Sequence, residues 1–331
     1  MINSFCLGGE INNVSLTNNT FASNMYPKIV SLLPAATEMV CALGLEANLV
    51  GRSHECDFPE SIKLLPVCSE ANLPENLSSA DIDVKVKELM ADALSVYTVN
   101  REMIKALAPD VVITQAQCEV CAVSLTEVEQ ALENLLEKSA KILSLAPNNL
   151  GDIFNDILTL AHALNVAEAG NALLEDLQQR VDIISHKLKF LENKPTVACI
   201  EWLEPMMLSG NWIPDLVKIA GGSSVIAEAG KHSPYILWDD IRLADPDLLI
   251  IMPCGFSIGR TLKEIDLLLG APGFSTLKAV KNNQVYIADG NQYFNRPGPR
   301  IVDSIEILAE IINPKQFIFG YEGEGWIKFS I

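Results

Sequence analysis

The sequence predicts an α/β protein: two α/β lobes with mostly parallel sheets, joined by a long rigid helix. Three observations carry this. Apolar strand-like runs alternate with amphipathic helical stretches, the pattern of parallel sheets. An uninterrupted helical stretch, Asn165–Leu191, lies near mid-chain with that pattern on both sides. A short phrase also recurs, Ala108-Pro109-Asp110-Val111-Val112-Ile113 before the helix and Asp245-Pro246-Asp247-Leu248-Leu249-Ile250 after it.

Residues 1–27, rich in Asn, Ser and Thr, read as a loose tail. The first lobe is expected over 28–164. Lys28–Leu33 is a buried strand ended by Pro34, and Ala35–Leu45 a helix stopped at Gly44. Leu49–Arg52 is the next strand, running into a polar loop with His54, Glu55, Cys56 and Asp57. Asp81–Leu94 and Val99–Leu107 have helical character. The strand Val111–Thr114 leads into the loop QAQCEVCAV, after which Ser124 and Glu127 form a capping box. Lys141–Leu145 and Leu150–Leu164 follow as strand and helix.

The connector, 165–191, carries Leu173, Leu177, Val181, Ile184 and Leu188 at steps of four, four, three and four, one apolar stripe on a helix. About 26 residues at 1.5 Å each would reach roughly 39 Å. The second lobe is expected over 192–314. Its strands are Thr196–Ile200, Leu248–Met252 and Val285–Ile287. Its helices are Ile213–Ala220 (closed by Gly221-Gly222), Ile236–Leu243, Thr261–Leu269 and Gly298–Ile312. Residues 315–331, with Trp326, form a C-terminal tail without an evident role. Strand-end loops of two such lobes, facing across the connector, describe a cleft.

A net charge of −18 and a pI near 4.6 argue against a nucleic-acid partner, because phosphate contacts need clustered Lys and Arg. The eight cysteines are too sparse for a disulfide scaffold and suit a reducing compartment. No basic segment followed by an apolar run marks a secretory signal, and Cys6 lacks the stretch that precedes a lipoprotein cysteine. The sequence as it stands therefore reads as cytoplasmic, and as periplasmic if its start is mis-assigned. No run of eighteen apolar residues spans a membrane.

No nucleophile elbow, metalloprotease helix or phosphate loop occurs, so the chain reads as non-enzymatic. His162 and His186 fall on helices and His232 on a surface loop. Cys118-x-x-Cys121 is the most chemical-looking spacing, and with Cys56 and His54 it offers an alternative metal or redox site. A structural zinc site would want a second such pair, which is absent. The aromatics Trp202, Trp212, Trp238, Phe256, Tyr293 and Phe294 stand at loop–element junctions, suiting a flat, partly apolar guest.

The segments Ser31–Glu38 (SLLPAATE), Ala108–Ile113, Gly221-Gly222 and Arg296–Arg300 (RPGPR), in this order, resemble the cobalamin and ferric-siderophore substrate-binding proteins of ABC importers. HECDFP, QCEVCAVS, PCGF and DGNQYFNRPGPR resemble the cobalamin-binding-protein-like subgroup. The likeness runs from about Lys28 to Pro314 and implies a type III periplasmic-binding-protein fold. It implies a pocket from Pro34, Ala35, His54, Glu55, Gln115 and Gln117 of one lobe, and Trp202, Trp212, Phe256, Tyr293 and Phe294 of the other. It also implies docking of a monomer onto permease arginines through Glu102 and Asp239, with Asp240 adjacent. The ligand so implied is cobalamin, another corrinoid or a similarly large metal chelate, with a ferric siderophore or haem as the alternative.

Overall fold

A computed structural model describes residues 26–74, 76–91, 96–115 and 140–330. In the first lobe β1 (Ile29–Ser31) leads into α1 (Pro34–Ala42), and β2 (Leu49–Arg52) lies beside β1. A hairpin-like excursion follows: β3 (Ser69–Ala71), α2 (Ser79–Ala91) and β4 (Tyr97–Val99), with β3 and β4 antiparallel. Then come α3 (Arg101–Leu107), β5 (Val111–Gln115), β6 (Lys141–Leu145) and α4 (Leu150–Ala163). The sheet runs β2-β1-β5-β6, all parallel. Val99, expected to open a helix, instead ends β4, because Tyr97-Thr98-Val99 favours the pleat and pairs with β3, and the helix starts at Arg101.

The long helix α5 is Ala167–Lys187. It is shorter than the sequence suggested at both ends: Asn165, at φ 61°, turns the chain between α4 and α5, and the helix closes at Leu188. The two helices touch at Gly170, where an added Cβ would overlap that of Ala161. Leu177, Val181, Ile184 and Leu188 of the stripe are buried.

The second lobe holds β7 (Thr196–Trp202), β8 (Met207–Leu208), α6 (Ile213–Ile219), β9 (Ser223–Ser224), α7 (Trp238–Ala244) and β10 (Leu248–Ile251). After these come α8 (Ile258–Leu262), β11 (Val285–Ala288), α9 (Ile301–Ile312) and β12 (Trp326–Lys328). The sheet runs β12-β11-β10-β7-β8, with β9 beside β7 and only β8 and β12 antiparallel to their neighbours. The stretch 261–269 is two separate helical pieces, α8 and a turn at Asp266–Leu269. The C-terminal segment has a definite place. Glu310, buried on α9, accepts N–H bonds from Phe319, Gly320 and Tyr321 and from Trp326 Nε1, which sets β12 against β11.

The repeated Pro-Asp phrase is one device used twice. Ala108 and Asp245 end α3 and α7 in the left-handed region, at φ 45° and 39°. Asp110 then accepts from the Lys28 amide at 3.0 Å, and Asp247 from the Thr196 amide at 2.8 Å. Each carboxylate thus ties its own strand to the start of the parallel neighbour.

Alternate residues of each strand enter different cores, as the pleat requires. Ile29, Val111 and Ile113 face the same cluster as Val197, Leu248 and Ile250 of the other sheet, joined through α1, α4, α5, α6 and α9. Val30 and Val112 face a second cluster, and Ala198, Leu249 and Ile287 a third. The long helix therefore does not hold the lobes apart. It lies in a core that both share.

Candidate binding cleft

The loops after β2 of the first lobe and β11 of the second meet between the lobes, where Arg296 pairs with Asp57, and those after β7 and β10 reach the start of α2 through Trp202 and Arg260. On the first-lobe side, Arg52 fixes the loop after β2 by donating to the carbonyls of Ser53, Cys56 and Lys63 at 3.0–3.2 Å. His54 Nδ1 lies 2.9 Å from Ser69 Oγ, its ring 5.2 Å from that of Tyr97, and its Nε2 3.4 Å from Glu55. His54, 3.4 Å away, holds the exposed Glu55 carboxyl below its usual range.

On the second-lobe side the Trp202 and Phe256 rings meet at 5.2 Å, tilted by 56°, and the Arg260 guanidinium lies 4.3 Å over Phe256. Asp289 starts a π-type turn, Gly290–Phe294, by accepting from the amides of Asn291 and Gln292. Gly290 permits this, since a Cβ there would overlap the Pro253 carbonyl.

The floor is an ion network across the lobes, with Glu38, Arg296 and Arg300 largely buried and the Asp57 carboxylate 39% exposed at its rim. Glu38 on α1 accepts two bonds from Arg300, at 2.9 and 2.6 Å, and one from Arg296 at 3.4 Å. Arg296 also pairs with Asp57 and reaches Asn291 Oδ1 at 3.3 Å. Two cations and two anions balance, as burial demands. Burial alone would raise the Asp57 pKa, but Arg296 and Arg300 hold it below the ordinary aspartate range. For Arg296 burial works against the charge, and Asp57 and Glu38 outweigh it.

Of the residues expected to line a pocket, Pro34, His54, Glu55 and Trp202 show surface. Phe256 is nearly covered by its neighbours, Ala35 is buried, and Gln115 is buried at the end of β5. Trp212 and Tyr293 are buried to about the same degree as Phe256. Phe294 is fully enclosed, Trp212 Nε1 donates to its carbonyl at 2.8 Å, and Tyr293 meets Tyr321 edge-on. Gln117, Cys118 and Cys121 lie outside the described residues. Cys56, offered as a metal ligand, is buried and accepts a bond from Thr37, and burial pushes its thiol pKa up. Among the described residues no group of three His, Cys, Asp or Glu side chains is placed to hold a metal ion.

Sequence reasoning missed Glu38, Arg296 and Arg300 as one cluster. The available signal was Glu38 itself, a lone charge inside the apolar run AATEMVCA, which demands a buried cation. A separate concavity of about 540 Å³, lined by Leu150, Phe154, Leu188, Lys189, Lys194 and Lys218 among others, shares no residue with these loops.

Comparison with known proteins agrees with this architecture. A vitamin B12-binding protein of Vibrio cholerae is 22% identical over 293 residues, covering 87% of this chain and 90% of its own. The crystal structure of the periplasmic vitamin B12-binding protein of Vibrio cholerae superposes with a TM-score of 0.63 at 20% identity, covering 88% of this chain and 99% of that one. The Staphylococcus aureus protein IsdE, complexed with heme, gives 0.65 at 18% identity, covering 87% and 99%. With residues 29–291 matching the family described as periplasmic binding protein, the chain belongs to that family of non-catalytic substrate-binding proteins of ABC importers, which take large ligands.

Proposed function

We propose that the cleft holds a corrinoid such as cobalamin and presents it, as a monomer, to an ABC permease. One observation carries the choice among large chelates. Every arginine placed on the described cleft walls is already engaged internally: Arg52 by backbone carbonyls, Arg260 by Glu264 and the Leu77 carbonyl, Arg296 by Glu38 and Asp57, Arg300 by Glu38. Haem carries two propionates and many siderophores are polyanions. Either would find three of these four cations already neutralised by a carboxylate, and freeing one from a buried partner costs several kcal/mol. A macrocycle fringed with neutral amides meets no such penalty, and Trp202 and His54 offer it ring surface and a polar edge.

Isothermal titration with cyanocobalamin and, separately, haemin tests this. Cyanocobalamin is expected to bind more tightly. Tighter haemin binding, or no corrinoid binding at about 100 μM (some −5.5 kcal/mol), would overturn it. The vitamin B12 relatives support the corrinoid reading and the heme-complexed structure supports the runner-up, so the same titration decides between them.

Glu102, exposed in the first turn of α3, and Asp239, exposed in the first turn of α7 and paired with Arg242 at 2.7 Å, are the proposed docking points. Surface pairs contribute about 0–1 kcal/mol each, so their role would be steering and register. Replacing both by Arg is expected to abolish uptake of labelled cobalamin in cells while leaving solution affinity unchanged. Residues 1–25, where an export signal would lie, are outside the described residues. The family is of the extracytoplasmic type. Cell fractionation with N-terminal sequencing of the native protein decides between export and retention.

A further inference from the structure

The excursion between β3 and β4 belongs to the first lobe but ends on the second. Its root is fixed: Cys68 N donates to Arg52 O at 2.7 Å, Asn100 N to Cys68 O at 2.8 Å, and Ser69 pairs with Val99. Its far end, the start of α2, is gripped from across the cleft. Both Glu264 oxygens accept from Ser79 N at 3.1 Å, and Arg260 donates to Leu77 O at 2.6 Å and to Glu264 at 2.5 Å. Trp202 Nε1 is shared between Ser79 O at 3.2 Å and Glu204 O at 3.1 Å. Further along α2, Lys87 lies 5.5 Å over the Tyr235 ring.

This grip is polar throughout. No described side chain of α2 joins any of the three hydrophobic clusters, and Val84 is 55% exposed. Its apolar residues Ile82, Val86 and Leu89 are only half-buried, and a thirteen-residue helix with so little covered surface is marginal by itself. The Ser79 hydroxyl is enclosed without a partner among the described residues, which weakens the contact further. The floor of the cleft is the opposite case, with a largely buried ion network and a shared apolar core joining the lobes.

We infer that α2 is a detachable strap across the cleft, clasped to the second lobe by Glu264, Arg260 and Trp202, and that a guest is admitted by release of this strap while the lobes stay joined. The strap and the guest compete for the same ground, because Ser79 O of the strap takes the Nε1 edge of Trp202, and the Arg260 that clasps the strap lies over Phe256, the ring beside Trp202. Regions held by few buried contacts open independently of the rest of a fold.

Admission of a guest rests on the proposed function, but the test needs none. Hydrogen exchange read by mass spectrometry compares the wild type with Glu264→Gln and Arg260→Lys. In the wild type the α2 amides are expected to exchange far faster than those of β1, β5, β7 and β10. Each variant should speed α2 by about tenfold, the worth of one charge-assisted bond, and leave the strands unchanged. Acrylamide quenching attributable to Trp202, taken as the difference from Trp202→Phe in each background, should rise alongside. The strands also report whether a variant is folded. Exchange of α2 in step with the sheets, or insensitive to both substitutions, would overturn the strap. A failed cobalamin titration would overturn only the ligand.

Discussion

Replacing Glu38 by glutamine tests whether the lobes are joined at the floor. The substitution keeps shape but removes the anion that serves both Arg300 and Arg296, and turns an amide N–H₂ toward one guanidinium. Breaking a buried pair by removing one partner typically costs 3–5 kcal/mol. Here the lower end applies, about 3 kcal/mol, because Arg296 retains Asp57 and Arg300 retains the Phe58 ring 4.0 Å away. With a urea slope of about 3 kcal/mol per molar, the unfolding midpoint should fall by about 1 M. A shared core also predicts one transition for both lobes, seen together by far-ultraviolet circular dichroism and tryptophan fluorescence. A midpoint shift below about 0.3 M would refute the reasoning, since it would mean that water already enters between Glu38 and its arginines.

Three further outcomes are expected. Asp57 has its folded pKa depressed, so its contribution is full above the unfolded value near 4 and is lost as pH falls through the folded one; Asp57→Asn should flatten urea midpoints across that acid range. Asp156 is the reverse case, pushed up to about 6 by burial and then by Asp152, with a buried oxygen lacking a partner among the described residues. Its charge costs stability as pH rises from about 4 to 6, by up to about 3 kcal/mol for a fully enclosed group; since Asp156 is only half-buried, Asp156→Asn should gain about 1 kcal/mol at pH 7 and nothing at pH 3. Gly170→Ala should lower stability by about 1–2 kcal/mol in the same assay, because overpacking against Ala161 exceeds the helical preference for Ala.

The fold was legible where local chemistry and global packing agree. The Pro-Asp phrase, the apolar runs of β1, β5, β7 and β10 and the stripe on α5 each declare themselves, since buried parallel strands and a one-faced helix leave periodic traces. The cleft was legible only in outline. Which loops meet follows from strand order, but which rings remain exposed does not. Trp212, Tyr293 and Phe294 share the loop-junction placement of Trp202, yet long-range packing takes them into the core. The ion network joins residues 258 and 262 positions apart, a pairing that no local pattern encodes. The strap was hidden for a related reason. Its sequence has a helical pattern, but what matters is its one-sided grip on Glu264, 185 residues away.

The short β12 has a consequence beyond its own few residues. A strand at the rim of a sheet offers unpaired amides and carbonyls to any passing chain. By lying against β11, β12 takes up that rim, and it is itself only three residues long and carries Lys328. A chain truncated after Pro314 would bare the Val-Tyr-Ile-Ala strand of β11. Such material should grow turbid and seed intermolecular strand pairing long before the solute-holding machinery itself fails.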